Sequence, residues 1–295
     1  MSNGNLLVTF EGYEKLNAAL EKKIKLYKSK KMPYFVYSML AGIYVGFAMI
    51  FIMFIAGLMG GAPGLKIIQG AVFAAALSLV IFAGSELFTG NVLVMTAGLT
   101  QRLVTLKVAI GLCLFCWLGN LAGSILIAVV YWGTDFLQNA TLEAVQNTVY
   151  AKAAAPSFMA IFARGIMCNL LVCLAVWCCY RMNSESGKLI MIFWCIFIFI
   201  TCGFDHSIAN MTLFSMQVLT GADAYTFGAI IKNLIAATLG NTAGEGAAIA
   251  LCSAEARARL ESIRDRCEYI ELSASPVFNE QFVEQMMFPE SDAQG

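Results

Sequence analysis

Charge is scarce in this sequence. Only 13% of its 295 residues are Asp, Glu, Lys or Arg, against about a quarter in a typical soluble domain. From Tyr34 to Tyr180 the charged residues reduce to Lys66, Glu86, Arg102, Lys107, Asp135, Glu143, Lys152 and Arg164. With 59% hydrophobic residues and a mean hydropathy of +0.74, this argues against a water-soluble enzyme and describes membrane spans joined by short loops. Net charge is zero, and no basic patch with interleaved aromatics is present, which sets nucleic acid aside as a partner. The polar N-terminus, running to Lys31, is the reverse of a cleavable signal peptide. Histidine is scarcer still. His206 stands alone, which argues against a haem or histidine-based metal site, and no cofactor is expected. Cysteine is plentiful, at ten, but Cys113, Cys116, Cys168, Cys173, Cys178, Cys179, Cys195 and Cys202 fall in apolar runs and read as small buried hydrophobes. The lone Cys-x-x-Cys, Cys113 to Cys116, has no second pair and no nearby histidine, so it reads as packing.

What is present is a series of long apolar runs. A spanning helix needs about 20 mostly apolar residues, and six segments qualify, near 34–60, 67–98, 107–133, 157–180, 188–217 and 226–252. The chain then divides into a basic N-terminal segment (1–33), a six-helix membrane domain (34–252) and an acidic polar tail (253–295). Six spans put both termini on one side. Lys15, Lys22, Lys23, Lys25, Lys28, Lys30 and Lys31 precede the first span, and Arg102, Lys107, Arg181 and Lys188 lie on even-numbered loops, which makes that side cytoplasmic.

The second and fifth runs are too long for one simple span, and each is interrupted by polar residues. Gly84-Ser-Glu86-Leu-Phe-Thr-Gly-Asn91 in the second answers Gly203-Phe-Asp205-His-Ser-Ile-Ala-Asn210 in the fifth: glycine, an acid two positions on, asparagine seven on. Gly119-Asn120-Leu-Ala-Gly123 in span three answers Gly240-Asn241-Thr-Ala-Gly244 in span six, and Arg164-Gly165-Ile166 loosely answers Ala41-Gly42-Ile43. Two halves of three spans each must be inverted with respect to one another. Inverted repeats with broken helices in matching positions point to a transport site near the midplane. The glycines spaced four apart read as close helix packing.

His206 lies near the centre of the fifth run, between Asp205 and Ser207. Ionisable groups at membrane depth are functional by default. A bare anion in a low-dielectric constriction loses hydration worth tens of kcal/mol in Born terms, and imidazole, with an ordinary pKa of about 6.5, can lend and recover the proton that neutralises it. This predicts that His206 serves a small weak-acid anion. Glu86 and Asp205 are expected to turn toward structural partners such as Lys152, Arg164 or helix-break amides, because an acid facing the path would repel anions. Thr89, Asn91 and Asn210 supply hydroxyl and amide groups that can serve backbone or substrate.

Ala83 to Asn91, Cys168-Asn-Leu-Leu-Val-Cys-Leu-Ala-Val-Trp177 and Gly203-Phe-Asp-His-Ser-Ile-Ala-Asn-Met-Thr-Leu-Phe214 resemble the formate/nitrite transporter family over roughly residues 30 to 245. Met211 to Phe214 and Ala155-Pro156 look most similar to its nitrite channel branch. The resemblance implies an all-α, aquaporin-like fold of six spans in the inner membrane, assembled as a homopentamer that conducts nitrite, formate or hydrosulfide together with protons. It further implies that His206 is the central pore histidine with Thr89 opposite, that Asn169 and Asn241 line the pore, and that Lys152 attracts anions while coupling to Asp205 and Asn210. Two constrictions are implied, Phe73, Leu77 and Phe199 on the cytoplasmic side and Leu87 and Val172 on the far side.

Two departures stand out. Asp205 replaces the usual Glu, with a shorter reach. After Gly244, where the family continues apolar, this chain has Glu245, then Ser253 to Leu260 with a helical pattern continuing toward 268. Two other readings compete: a neutral-solute channel built on the same repeats, and a cysteine-based membrane redox enzyme, for which no ligand set or nucleotide loop is present.

Overall fold

The computed structural model describes residues 4–221, 223 and 226–245. The end of the last expected span, the helical pattern toward 268 and the acidic tail lie outside the described residues. All regular structure among the described residues is helical. α1 (Gly4–Ser29) is followed by α2 (Lys31–Met59), α3 (Leu65–Phe73), α4 (Ala75–Leu79) and a π-helical turn, Val80–Gly84. α5 (Phe88–Thr100), α6 (Leu106–Trp132), α7 (Asn139–Val149) and a second π-helical turn, Tyr150–Ala154, lead to α8 (Phe158–Arg181). α9 (Glu185–Cys202), α10 (Ser207–Leu219) and a helix α11 over 226–245 complete the described chain.

Five helical segments among the described residues are long and apolar enough to cross a membrane: Lys31–Met59, Leu65–Gly84, Leu106–Trp132, Phe158–Arg181 and Glu185–Cys202. Phe47, Phe51, Leu58, Ile110, Leu114 and Trp194 are each at least half exposed. An apolar exterior of this extent suits lipid or another protein chain. The interior, by contrast, contains fully buried polar residues, Thr89, Asn91, Asn120, Asn169, Asp205, Ser207, Asn233 and Asn241 among them.

α1 was not foreseen as a helix. It is amphipathic, burying Gly12, Leu16 and Leu20 at four-residue intervals while Lys22, Lys25 and Lys28 face outward. It packs where Tyr13 meets Trp177 edge-on at 5.0 Å and Asn17 exchanges amide bonds with Gln101 at 3.1 Å. α1 therefore marks one end of the helical assembly, the end formed by the C-termini of α5 and α8.

The chain leaves its helical path at two related places. Gly84 and Gly203 take positive φ, 79° and 77°, a region that glycine enters without steric cost. Both segments then become extended, and the residues heading the next helices have nearly the same backbone: Leu87 at φ −96°, ψ 130°, and His206 at φ −98°, ψ 114°. An asparagine closes each gap. Asn120 accepts from Phe88 N at 2.9 Å and donates to the carbonyls of Glu86 at 2.9 Å and Ser38 at 2.7 Å. Asn241 accepts from Ser207 N at 2.9 Å and donates to the carbonyls of Asp205 at 2.8 Å and Gly165 at 3.0 Å. In a site without water these backbone groups would otherwise be unpaired.

This pattern corrects the register expected between the first and fourth spans. Gly165 corresponds to Ser38, one helical turn from Gly42. The glycine contacts keep the same register, since Gly123 lies against the Met39 carbonyl and Gly244 against the Ile166 carbonyl, with no room for a side chain at either. A match of one glycine and one isoleucine could not fix the register; the hydrogen bonds do.

Candidate functional site

His206 is 5% exposed and heads α10, where its Nδ1 accepts the Ala209 backbone N–H at 3.2 Å. A ring nitrogen that accepts carries no proton, so the neutral imidazole holds its proton on Nε2. Nε2 lies 3.3 Å from the Thr89 hydroxyl on α5. The capping bond thus aims the polar edge of the ring at the other helix interruption. One face of the ring stacks on Phe199, 5.9 Å between centroids, and Phe199 meets Phe73 edge-on at 6.1 Å. The imidazole is the polar end of an aromatic row.

Asp205 is fully buried, and its Oδ1 receives Lys152 Nζ at 3.0 Å and Asn210 Nδ2 at 3.0 Å. Its shorter side chain therefore still reaches the lysine. Lys152 also donates to the Phe204 carbonyl at 3.3 Å. Asn233, absent from the sequence-based expectation, closes the ring: its Oδ1 accepts from Asn210 at 2.9 Å and its Nδ2 donates to the Lys152 carbonyl at 2.7 Å. The π-helical turn Tyr150–Ala154 brings Lys152 to this point from the end of α7. Lys152 is the partly exposed member, at 19% of its side chain.

Glu86 has a different partner from those expected. Lys23 of α1 meets its Oε2 at 2.6 Å, and neither Lys152 nor Arg164 supplies the contact. The Glu86 backbone N–H bonds the Tyr37 carbonyl at 3.1 Å, fixing this interruption near the start of α2. Burial is the largest single influence and works against the Lys23 charge, but the Glu86 carboxylate together with Tyr180 and Cys116 outweighs it, and the lysine pKa ends above its ordinary value. Among seven lysines before the first span, nothing in the sequence set Lys23 apart. Asn91, at the position matching Asn210, donates to Tyr34 Oη at 2.8 Å and Cys116 Sγ at 3.2 Å.

All five expected constriction residues are buried: Phe73, Leu77, Phe199, Leu87 and Val172. Their sides are the reverse of the expectation. Gln69 donates to the Ile52 carbonyl at 3.0 Å, which sets the start of α3, and Phe73 with Phe199 after it, beside the end of α2 away from α1. Leu87 adjoins Glu86 and its Lys23 partner, and Val172 follows Asn169 toward the α8 terminus that meets α1. The aromatic pair thus lies at the end opposite the basic helix. The cause is topological, because α2 crosses fully before α3 begins.

Asn241 and Asn210 spend both amide hydrogens on protein acceptors. Neither has an amide donor left for a solute, and these bonds position the interruption at residues 205–207. Asn169 donates to the Asn241 carbonyl at 2.8 Å, and its Oδ1 has no partner. Among the described residues no cluster of His, Cys, Asp or Glu could hold a metal ion.

The fold and the paired interruptions, with an imidazole facing a hydroxyl between them, define a membrane channel or transporter rather than a catalytic centre. The family model described as formate/nitrite transporter matches residues 11–254. The nitrite transporter NirC of Escherichia coli is 39% identical over 221 residues, covering 74% of this chain and 81% of that protein. The formate channel FocA of Haemophilus influenzae is 31% identical over 247 residues, covering 74% and 85%. A solved FNT family ion channel superposes with a TM-score of 0.74 at 35% identity, covering 79% of this chain and 95% of that one. A pentameric formate channel with formate bound gives 0.65 at 27% identity, with 76% and 96% covered. A second model, the C-terminal domain of RACo, the ASKHA domain, matches residues 220–295, less than half of the chain. The chain belongs to the formate/nitrite transporter family.

Proposed function

We propose that the protein is a multi-pass inner-membrane channel for small monovalent weak-acid anions, nitrite first and formate second, moving with protons. Its membrane domain covers 34–252 as six spans in two inverted, aquaporin-like halves with spans two and five broken. Both the basic segment (1–33) and the acidic tail (253–295) are cytoplasmic, and five copies assemble, each with its own path. The greater similarity to the nitrite transporter than to the formate channel favours nitrite, and the likeness to a pentameric formate channel supports the assembly.

One observation carries the reading: the Nε2 edge of His206 faces Thr89 across two helix interruptions, with buried apolar side chains to either side. Lys152, partly exposed and balanced by Asp205, draws the anion in. Phe73, Leu77 and Phe199 form the apolar passage on that side, and Leu87 and Val172 the passage on the side of α1. A bare anion between them loses hydration worth tens of kcal/mol in Born terms, whereas the protonated weak acid does not carry that charge. At the midpoint Nε2–H and the Thr89 hydroxyl, 3.3 Å apart, exchange their mutual bond for two hydrogen bonds to the solute. To donate a proton the ring must first gain one at Nδ1, which breaks the bond from Ala209 N–H and loosens the start of α10. Proton transfer and local opening are thus linked.

The test is flux in proteoliposomes. His206→Phe is expected to change the pH dependence and the selectivity of nitrite and formate entry; unchanged profiles for both anions would remove the imidazole from the mechanism. Rapid glycerol or water flux without nitrite flux would favour a neutral-solute channel instead.

A further inference from the structure

Glu245 takes no part in the pathway above. It lies in the last described turn of α11, one turn beyond Asn241, and is fully buried. The groups turned toward it are the Asn169 amide and the Cys173 thiol on α8 and the Leu93 backbone N–H on α5. Cys113 on α6 is the other titratable group in electrostatic reach. Among the described residues neither carboxyl oxygen has a donor at full hydrogen-bond geometry, and none of the ion pairs includes Glu245.

An ionised carboxylate so placed would bear a desolvation cost of several kcal/mol, which the Asn169, Cys173 and Leu93 groups turned toward it offset only in part, with no cation paired to it among the described residues. Its neighbour has the complementary deficit. Asn169 Nδ2 donates to the Asn241 carbonyl, which can only accept, so the amide orientation is fixed and Oδ1 remains an acceptor without a donor. One hydrogen is missing between two adjoining side chains.

We infer that Glu245 is a proton-binding site inside the membrane domain, held as a carboxylic acid whose O–H is shared with the amide of Asn169. The proton then sits on the structure that fixes residues 205–207, because Asn169 bonds the Asn241 backbone and Asn241 bonds both sides of that interruption. This site does not depend on which solute crosses.

Infrared difference spectra of the detergent-solubilised protein at neutral pH, wild type against Glu245→Gln, are expected to contain a protonated-carboxyl C=O band present only in the wild type. Glu245→Asp is expected to shift that band, which keeps the assignment available even where the Gln variant does not fold. The melting temperature of Glu245→Gln should exceed that of wild type at about pH 8, and the gap should narrow at about pH 5. The reason is that the native carboxyl must draw its proton from solution, at a cost that grows as pH rises above the ordinary glutamate value of about 4.3. Carboxylate bands alone, or a melting gap independent of pH, would overturn the inference.

Discussion

Asn120 and Asn241 make the same three hydrogen bonds, each accepting from one backbone N–H and donating to two carbonyls around an interrupted helix. They lie in the matched Gly-Asn-x-x-Gly segments of α6 and α11. The same side chain thus solves the same problem twice, that of an extended backbone far from water.

Replacing either by leucine keeps the approximate volume and strands three backbone groups, each at about 1–3 kcal/mol when buried and unpaired. Thermal unfolding of the detergent-solubilised protein should show large losses for both Asn120→Leu and Asn241→Leu, comparable within a factor of about two. A silent Asn120→Leu beside a collapsed Asn241→Leu would end the equivalence.

Lys152→Met leaves the Asp205 carboxylate buried with Asn210 alone as donor. Breaking a buried pair from one side costs about 3–5 kcal/mol, so the single variant should be markedly less stable than the double variant Lys152→Met with Asp205→Asn. If Lys152 gathers the anion as proposed, nitrite flux should stay low in both. Melting curves and flux measured on the same preparations separate the two effects.

The Lys23 to Glu86 pair ties α1 to the first interruption. A lysine whose pKa is raised in the folded state contributes fully below the ordinary value of about 10.4 and loses its contribution only as pH rises through the raised one. Between about pH 5 and pH 9 this pair is therefore constant on the lysine side, and pH-dependent flux in that range has another source. Lys23→Glu or Glu86→Lys alone should destabilise the protein by about 1–3 kcal/mol, while the exchange of both charges should recover most of the loss.

Much of this architecture was legible in the chain because its periodicities are local. Apolar runs marked the helices, and the two Gly-x-acid patterns marked the positive-φ turns at Gly84 and Gly203. The matched asparagines were visible too, but not their task, which depends on carbonyls in other spans. Lys23 and Asn233 were missed for the same reason, since a partner more than 60 residues away in the first case, and one side chain in a four-member ring in the second, leave no trace in spacing. The side occupied by Phe73 and Phe199 was misjudged because the resemblance supplied the pairing of residues without the direction in which α3 runs.

Leu87 and His206 occupy one backbone conformation, each heading a half-length helix, yet one is hydrocarbon and the other an imidazole. Duplication of the scaffold was not duplication of its chemistry. On the proposed path, a traveller arriving from the Leu87 side meets grease before the imidazole, and one arriving from the other side meets an ammonium and two phenyl rings first. The doorway is lopsided by construction, and on the proposed path this unequal pair is expected to make inward and outward rates differ.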